Sequence, residues 1–249
     1  MDRMIYTAMS GAKQSLDKQA VVANNMANVS TPGFRAQLSA TRAVPVEGDG
    51  AGVRVSAVQT TPGMDVKAGT IDTTGRSLDV AIDGEGWLAV GRADGGEAYT
   101  RDGGMQLDQN GMLSIGGRPV LDNGGQPLVI PGDGEISIAG DGTVSVRSQT
   151  GKMNPAGQIK LVNPDPASLE RGDDGLFSPR ANENGEVPGA IAADPTIKVI
   201  SGALESSNVS SVEAMVSMID IARRFEMNMK TLSTADENAQ KANQLLAPS

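Results

Sequence analysis

The sequence predicts an α+β protein in which long N- and C-terminal helices pair as a coiled-coil-like domain beside a central antiparallel β domain, a sandwich or partly open barrel. Three observations predict this fold class. Near the N-terminus, apolar residues recur at alternating steps of three and four, which is typical of a helix packed along one stripe. The C-terminal end repeats this spacing. Between the two ends the apolar period changes to two, which is typical of strands.

The first predicted helix runs from about Ile5 to about Ser30. It ends before Thr31-Pro32-Gly33, because proline disfavours a helical conformation in the residue before it and glycine permits a turn. Its apolar stripe contains Ile5, Met9, Ala12, Leu16, Ala23 and Met26. Its other faces carry the apolar residues Ala20, Val21, Ala27 and Val29. A helix that is apolar on several sides needs several partners, so we expect all of these residues, together with Phe34, to form assembly contacts.

The last predicted helix begins at a capping box, in which Ser210 caps the first turn and Glu213 reaches back to the amide of the cap residue. No glycine or proline interrupts the following ~35 residues, which corresponds to a helix on the order of 50 Å long. Its expected contact residues are Met218, Ile221, Phe225, Met229, Leu232 and Leu246. The predicted domains are residues 1–35 and 203–249 as halves of one helical domain, 36–77 as an extended or hairpin connector, and 78–202 as the β domain.

Short runs rich in valine and isoleucine fill the predicted β domain. They are separated by turn pairs such as Asn110-Gly111 and Asp141-Gly142, which tolerate positive φ and favour tight hairpins. Strands are predicted at residues 78–82, 87–91, 97–101, 112–115, 127–130, 135–139, 143–147, 158–162 and 196–200. Residues 172–189 contain Pro179 and Pro188, and we expect them to form a surface excursion.

Composition excludes several classes of function. The 249 residues include no cysteine and no histidine, which removes thiolate sites, the commonest general base and the commonest metal ligand. The formal charge of -9 argues against a nucleic-acid partner, because binding to phosphates needs clustered Lys and Arg. Residues 108–111 faintly resemble a calcium loop but lack its further ligands, so a hairpin turn is the preferred interpretation. We therefore expect no enzyme activity, no cofactor and no small-molecule substrate.

Three stretches, in order along the chain, resemble the bacterial flagellar rod and hook axial proteins. Residues 23–35, ANNMANVSTPGFR, are similar to the N-terminal signature of that family. Residues 78–87 and 99–103 are similar to its first β-domain motif, although Trp87 stands where phenylalanine is usual. Residues 207–228 resemble its C-terminal signature. Within the family, the opening of the chain and residues 224–227 resemble proximal rod proteins most, and distal rod proteins next.

The resemblance implies a structural subunit of the basal-body rod, which polymerises through its terminal helices into a tubular drive shaft that transmits torque and encloses the export channel. It implies copies of this chain, other rod proteins and the flagellar type III export apparatus as partners. The expected location is the rod within the periplasmic space, reached without a cleaved signal peptide. Two alternatives remain: another flagellar axial subunit, or a β-rich binding domain with helical dimerisation ends.

Overall fold

A computed structural model describes residues 2–45, 55–93, 95–132, 134–148, 151–172, 174–181 and 188–246. The helices are α1 Asp2–Ala27 and α2 Ser211–Leu246, with a 3-10 turn at Pro166–Ser168. The strands are β1 Gln37–Pro45, β2 Val55–Met64, β3 Ile71–Thr73, β4 Val80–Asp83, β5 Trp87–Gly91, β6 Glu97–Thr100, β7 Met105–Leu107, β8 Leu113–Ile115, β9 Arg118–Pro119, β10 Glu135–Ile138, β11 Thr143–Arg147, β12 Met153–Gln158, β13 Leu161–Val162, β14 Leu169–Arg171, β15 Phe177–Pro179, β16 Lys198–Ser201 and β17 Ala203–Glu205. The α+β prediction is confirmed. Every sheet of the described residues is antiparallel, and none of them closes into a barrel.

The chain divides into two compact units. The helical unit consists of Met1–Val29, Ala36–Met64 and Val209–Ser249, and the β unit consists of Ser30–Arg35 and Asp65–Asn208. The chain therefore passes through the β unit at Ser30–Arg35, returns to the helical unit for Ala36–Met64, and enters the β unit again for Asp65–Asn208 before α2 begins. Each unit is described below by itself.

The helical unit contains α1, α2 and the hairpin formed by β1 and β2, and α1 contacts both α2 and the hairpin. Asn25 holds the start of the hairpin: its Nδ2 donates to the carbonyl of Gln37 at 3.0 Å, and its Oδ1 accepts from the amide of Gln37 at 2.9 Å. At the start of α2, the Ser210 hydroxyl accepts a hydrogen bond from the amide of Glu213 at 3.3 Å, as an N-cap residue does.

The β unit has its own apolar core, built from valine, leucine and isoleucine side chains of several sheets. Its largest sheet has the strand order β13-β5-β6-β15-β14. On one face of this sheet, the rings of Trp87 and Phe177 lie with their centroids 4.7 Å apart. Two further sheets pair β4 with β16 and β3 with β17, so strands from the two ends of the unit lie side by side.

Two predictions within the β unit need correction. The expected surface excursion at residues 172–189 contains β15, whose Phe177 is buried and pairs with Tyr99. Burial of an aromatic ring outweighs the local glycine and proline signals here. Residues 127–130 form isolated bridges in place of a strand, because their backbone groups bond to different segments: Leu128 to Val120 and Leu113, and Ile130 to Gly111.

Candidate functional site

The predicted contact residues differ widely in exposure within the single chain. Three of them are buried: Ala12, Phe34 and Ile221. Seven are half-buried: Ile5, Val21, Met26, Val29, Met218, Phe225 and Leu232. Six are exposed: Met9, Leu16, Ala20, Ala23, Ala27 and Met229. The side chain of Leu246 lies outside the described residues. Phe34 belongs to the β unit, where its ring lies 4.1 Å from the guanidinium carbon of Arg171. Many of the apolar side chains on the helices are therefore still accessible.

Among the residues of α1 whose burial is described, the buried face coincides with the predicted stripe only at Ala12. The buried residues of the helix are Ala8, Ala12 and Ser15, whereas Met9 and Leu16 are 54% and 51% exposed. A Cβ atom added to Gly11 would lie 3.1 Å from the side-chain amide of Asn228 on α2, so small residues let the two helices approach closely. Close backbone approach favours the small residues over the bulky ones. The bulky side chains Tyr6, Met9 and Leu16 consequently remain exposed.

On α2 the exposed large apolar side chains are Val212, Met215, Val216, Ile219, Met227 and Met229. The buried residues Ala214, Ile221 and Ala235 recur at multiples of seven, as expected for one stripe of a helix. Single exposed apolar residues are normal on a protein surface, but a series along two contacting helices indicates an interaction surface. We call the exposed apolar residues of α1 and α2 the helical surface.

The β unit holds a second notable feature, a buried cluster of Arg35, Arg101 and Glu205, which we call the charge cluster. The three residues are 2%, 4% and 1% exposed. Glu205 Oε1 lies 2.7 Å from Arg35 Nη1 and also accepts a hydrogen bond from the amide of Gly69 at 2.9 Å. Glu205 Oε2 lies 3.3 Å from Arg101 Nε. One buried carboxylate therefore faces two buried guanidinium groups.

Backbone carbonyls accept hydrogen bonds from both guanidinium groups of the charge cluster. Arg35 Nη1 donates to the carbonyl of Lys67 and Arg101 Nη2 to that of Gly84, both at 2.6 Å. The guanidinium of Arg101 also lies 5.9 Å from the ring centroid of Trp87. Burial lowers the pKa of Arg101 to about 10, against the opposing effect of Glu205, so Arg101 is still charged at neutral pH.

The chain segments that enter and leave the β unit meet at the charge cluster. The amide of Gly33 donates to the carbonyl of Glu205 at 2.7 Å, and the amide of Asn208 donates to the carbonyl of Phe34 at 3.3 Å. Gly33 has φ +66, and a Cβ at this position would lie 2.2 Å from the carbonyl carbon of Arg101. Only glycine fits this conformation and this space. The two crossing segments are thereby fixed to each other within the β unit.

The charge cluster joins the three stretches that carry the sequence resemblance. Arg35 ends the first stretch, Arg101 lies in the second, and Glu205 lies two residues before the third. The sequence analysis named these stretches separately and did not identify the three charged residues as a group. One local signal was present, since Glu205 follows Ala203 at the strand period of two and so shares its buried face.

The remaining polar candidates have structural roles. Asp108 Oδ1 accepts the amides of Asn110 and Met112, both at 2.8 Å, in the turn between β7 and β8. The pKa of Asp108 is lowered, mainly by the hydrogen bond from Met112. Within the described ranges, no group of three or more acidic side chains is placed to hold a metal ion. No helix of the described residues is both long and apolar enough to cross a bilayer.

Comparisons with known proteins identify the family of the chain. Residues 5–35 match the model "Flagella basal body rod protein", 81–146 match "Flagellar hook protein FlgE/F/G D1 domain", and 200–245 match "Flagellar basal body rod FlgEFG protein C-terminal". The chain is 50% identical over 251 residues to the flagellar basal-body rod protein FlgF of Salmonella typhimurium and to that of Escherichia coli K12, with 100% of each chain covered. It is 33% identical over 254 residues to FlgG of Buchnera aphidicola subsp. Acyrthosiphon pisum, covering 94% of this chain and 97% of the relative. This chain therefore belongs to the flagellar basal-body rod protein family.

Proposed function

We propose that this chain is a structural subunit of the flagellar basal-body rod, in the proximal position, and that it has no catalytic role. The observation that carries the proposal is the helical surface: large apolar side chains stay exposed along both helices, while the β unit encloses a core of its own. Full-length similarity to FlgF at 50% identity, against 33% for FlgG, favours the proximal over the distal rod. The named relatives are rod proteins, which speaks against a β-rich binding domain with helical dimerisation ends.

The proposed mechanism is assembly through the terminal helices. Within one subunit, α1 and α2 pair in a coiled-coil-like manner, with small residues such as Ala8 and Ala12 at the contact. Between subunits, the helical surface packs against helices of neighbouring copies and of other rod proteins. We assign these contacts to the sequence-predicted residues that the single chain leaves exposed or half-buried. In such an assembly each subunit contacts the next one head to tail, through different surfaces of the two subunits. Head-to-tail contacts that do not close into a ring generate a tubular helical assembly, which transmits torque and encloses a channel.

For assembly, the helical domain is proposed to comprise residues 1–35 and 203–249, beside a connector at 36–77 and a β domain at 78–202. This functional division differs from the two compact units at residues 30–35, 36–77 and 203–208. Before assembly the helices would be marginally stable, because much of their apolar surface faces water. Such a chain suits passage through the flagellar type III export apparatus in an unfolded state. Folding of the ends would then accompany assembly in the periplasmic space.

The proposal is tested by placing a charge at Leu16, an exposed residue of the helical surface, and at Phe225, a half-buried contact residue predicted on α2. Leu16→Asp and Phe225→Asp should abolish rod assembly and swimming, because burying an unpaired carboxylate between subunits costs several kcal/mol, roughly. Assembly is measured as incorporation into purified basal bodies, and swimming as spreading in soft agar. Fluorescence of Trp87, the single tryptophan of the chain, reports whether the β unit is still folded.

Lys13→Asp is the matched control, because Lys13 is an exposed polar residue of the same helix. This variant should assemble and swim as the unmodified protein does. Normal swimming by both Leu16→Asp and Phe225→Asp would show that the helical surface is not the assembly surface.

A further inference from the structure

Methionine forms a large part of the helical surface. Among the described residues, α1 and α2 leave nine large apolar side chains exposed, and four of these are methionines. The exposed fraction of each of the four lies between 46% and 62%. We call them the methionine group: Met9, Met215, Met227 and Met229. A chemical change of methionine therefore alters nearly half of the large exposed side chains of this surface.

Sulfur chemistry distinguishes the methionine group from the other exposed side chains. The chain contains no cysteine, so methionine thioethers are its only sulfur groups. Hydrogen peroxide oxidises a thioether by two electrons: a sulfur lone pair forms a bond to one peroxide oxygen, and the O–O bond breaks. The second oxygen takes up the proton of the first and leaves as water. The product, methionine sulfoxide, is polar where methionine was apolar.

Two further methionines provide internal comparisons. Met105 on β7 is fully buried in the core of the β unit. Met153 on β12 is 40% exposed, but it belongs to the β unit and not to the helical surface. Because reactivity towards peroxide follows exposure, we expect Met153 to react and Met105 to be protected. Only the reaction of the methionine group changes the helical surface.

We propose that the methionine group is an oxidation site, at which hydrogen peroxide turns the helical surface from apolar to polar and thereby weakens its binding to neighbouring subunits. A sulfoxide oxygen is a hydrogen-bond acceptor, and burying it against an apolar surface leaves it without a partner. The effect on binding rests on the proposed rod-subunit function, whereas the pattern of oxidation does not. Assembly would cover the same sulfur atoms, so the subunit is sensitive before it assembles and protected afterwards.

The first arm of the test locates the oxidation in the purified full chain. After a short exposure to hydrogen peroxide, peptide mass spectrometry measures the initial rate of sulfoxide formation at each methionine. The methionine group and Met153 should react about tenfold or more faster than Met105. This arm needs no variant. Rates in the methionine group no faster than the rate at Met105 would overturn the proposal.

The second arm measures the polarity of the surface without requiring assembly. Peroxide treatment should weaken the retention of the chain on a phenyl column, because retention increases with exposed apolar area. Methionine sulfoxide reductases for both sulfoxide epimers should restore the retention, which separates sulfoxide formation from other damage.

A variant with leucine at all four positions of the methionine group keeps apolar side chains of similar volume but removes the sulfur atoms. Peroxide should change its retention far less than that of the unmodified chain. Met153→Leu is the matched control, because it removes an exposed sulfur outside the helical surface, and this variant should respond as the unmodified chain does. An equal loss of retention in the four-leucine variant and the unmodified chain would contradict the assignment of the site.

The third arm connects oxidation with assembly. In cells grown with sublethal hydrogen peroxide, incorporation into purified basal bodies should fall for the unmodified chain and for Met153→Leu, and should be retained by the four-leucine variant. Equal losses in all three would show that oxidation of the methionine group does not control binding. Normal swimming by Leu16→Asp and Phe225→Asp would instead refute the rod-subunit proposal, while the first two arms would still decide whether the methionine group is an oxidation site.

Discussion

Replacing Glu205 by glutamine should destabilise the β unit severely. The carboxylate lies 2.7 Å from Arg35 Nη1 and 3.3 Å from Arg101 Nε, and all three side chains are almost completely buried. Glutamine keeps an oxygen that accepts the amide of Gly69 but removes the negative charge, which leaves two buried guanidinium groups facing each other. Removing one partner of a buried ion pair costs about 3–5 kcal/mol, and the retained hydrogen bond places the expected loss near 3 kcal/mol. That is a large part of the stability of an ordinary domain.

The measurement is equilibrium unfolding in urea, followed by the fluorescence of Trp87. With a urea dependence of about 1–3 kcal/mol/M, the midpoint for Glu205→Gln should fall by roughly 1–3 M. Glu135→Gln is the matched control, because Glu135 faces Arg147 at 3.3 Å with both side chains largely exposed. Exposed pairs contribute about 0–1 kcal/mol, so the control should barely shift. Equal midpoints for the two variants would refute the idea that the charge cluster holds the unit together.

Four further predictions concern the same chain. Gly33→Ala should cost about 2 kcal/mol more than Gly75→Ala in the same urea assay, because both glycines have positive φ but only the Cβ at Gly33 meets backbone atoms. Hydrogen bonds from Arg76 and Thr74 outweigh burial and lower the pKa of Asp79, so Asp79→Asn should be less stable at neutral pH, with the difference lost as the pH falls through that pKa. Burial raises the pKa of Asp102, so its ionised form costs stability, and Asp102→Asn should be more stable at neutral pH but not near pH 3. Limited proteolysis of dilute monomer should cleave the helices and leave a resistant β unit; protected helices would contradict coupled folding and assembly.

Much of the fold follows from local patterns. The periods of 3.6 and 2 separate the helices from the strands because each period reports which side chains share one face. The strands at 87–91 and 143–147 are predicted at their observed bounds, and a turn pair such as Asp141-Gly142 has its glycine at positive φ. These features depend on interactions between neighbours in sequence, so they can be predicted from local sequence patterns.

The features that local patterns miss depend on distant partners. Leu16 is a more apolar residue than Ala8, yet Ala8 is buried and Leu16 exposed, because burial on α1 depends on which face of the helix the rest of the helical unit covers. Phe177 is buried because β6 is available as its neighbour across the sheet. The charge cluster depends on Arg35, Arg101 and Glu205, which are far apart in sequence and which composition alone would place on the surface. Predicting each of these features requires knowledge of which residue or element packs against it.

The distribution of charge supports a division of labour between the two units. The β unit contains twenty-one acidic and twelve basic residues, which accounts for the whole formal charge of -9, while the helical unit contains nine of each and is formally neutral. Surfaces with a strong excess of one sign repel each other over about 10 Å at 0.1 M salt. In the proposed assembly, helical units of neighbouring copies would therefore approach without a net charge penalty, whereas β units would resist contact with one another. Because the helical unit also carries the exposed apolar surface, both the attraction and the repulsion would direct association to the helices.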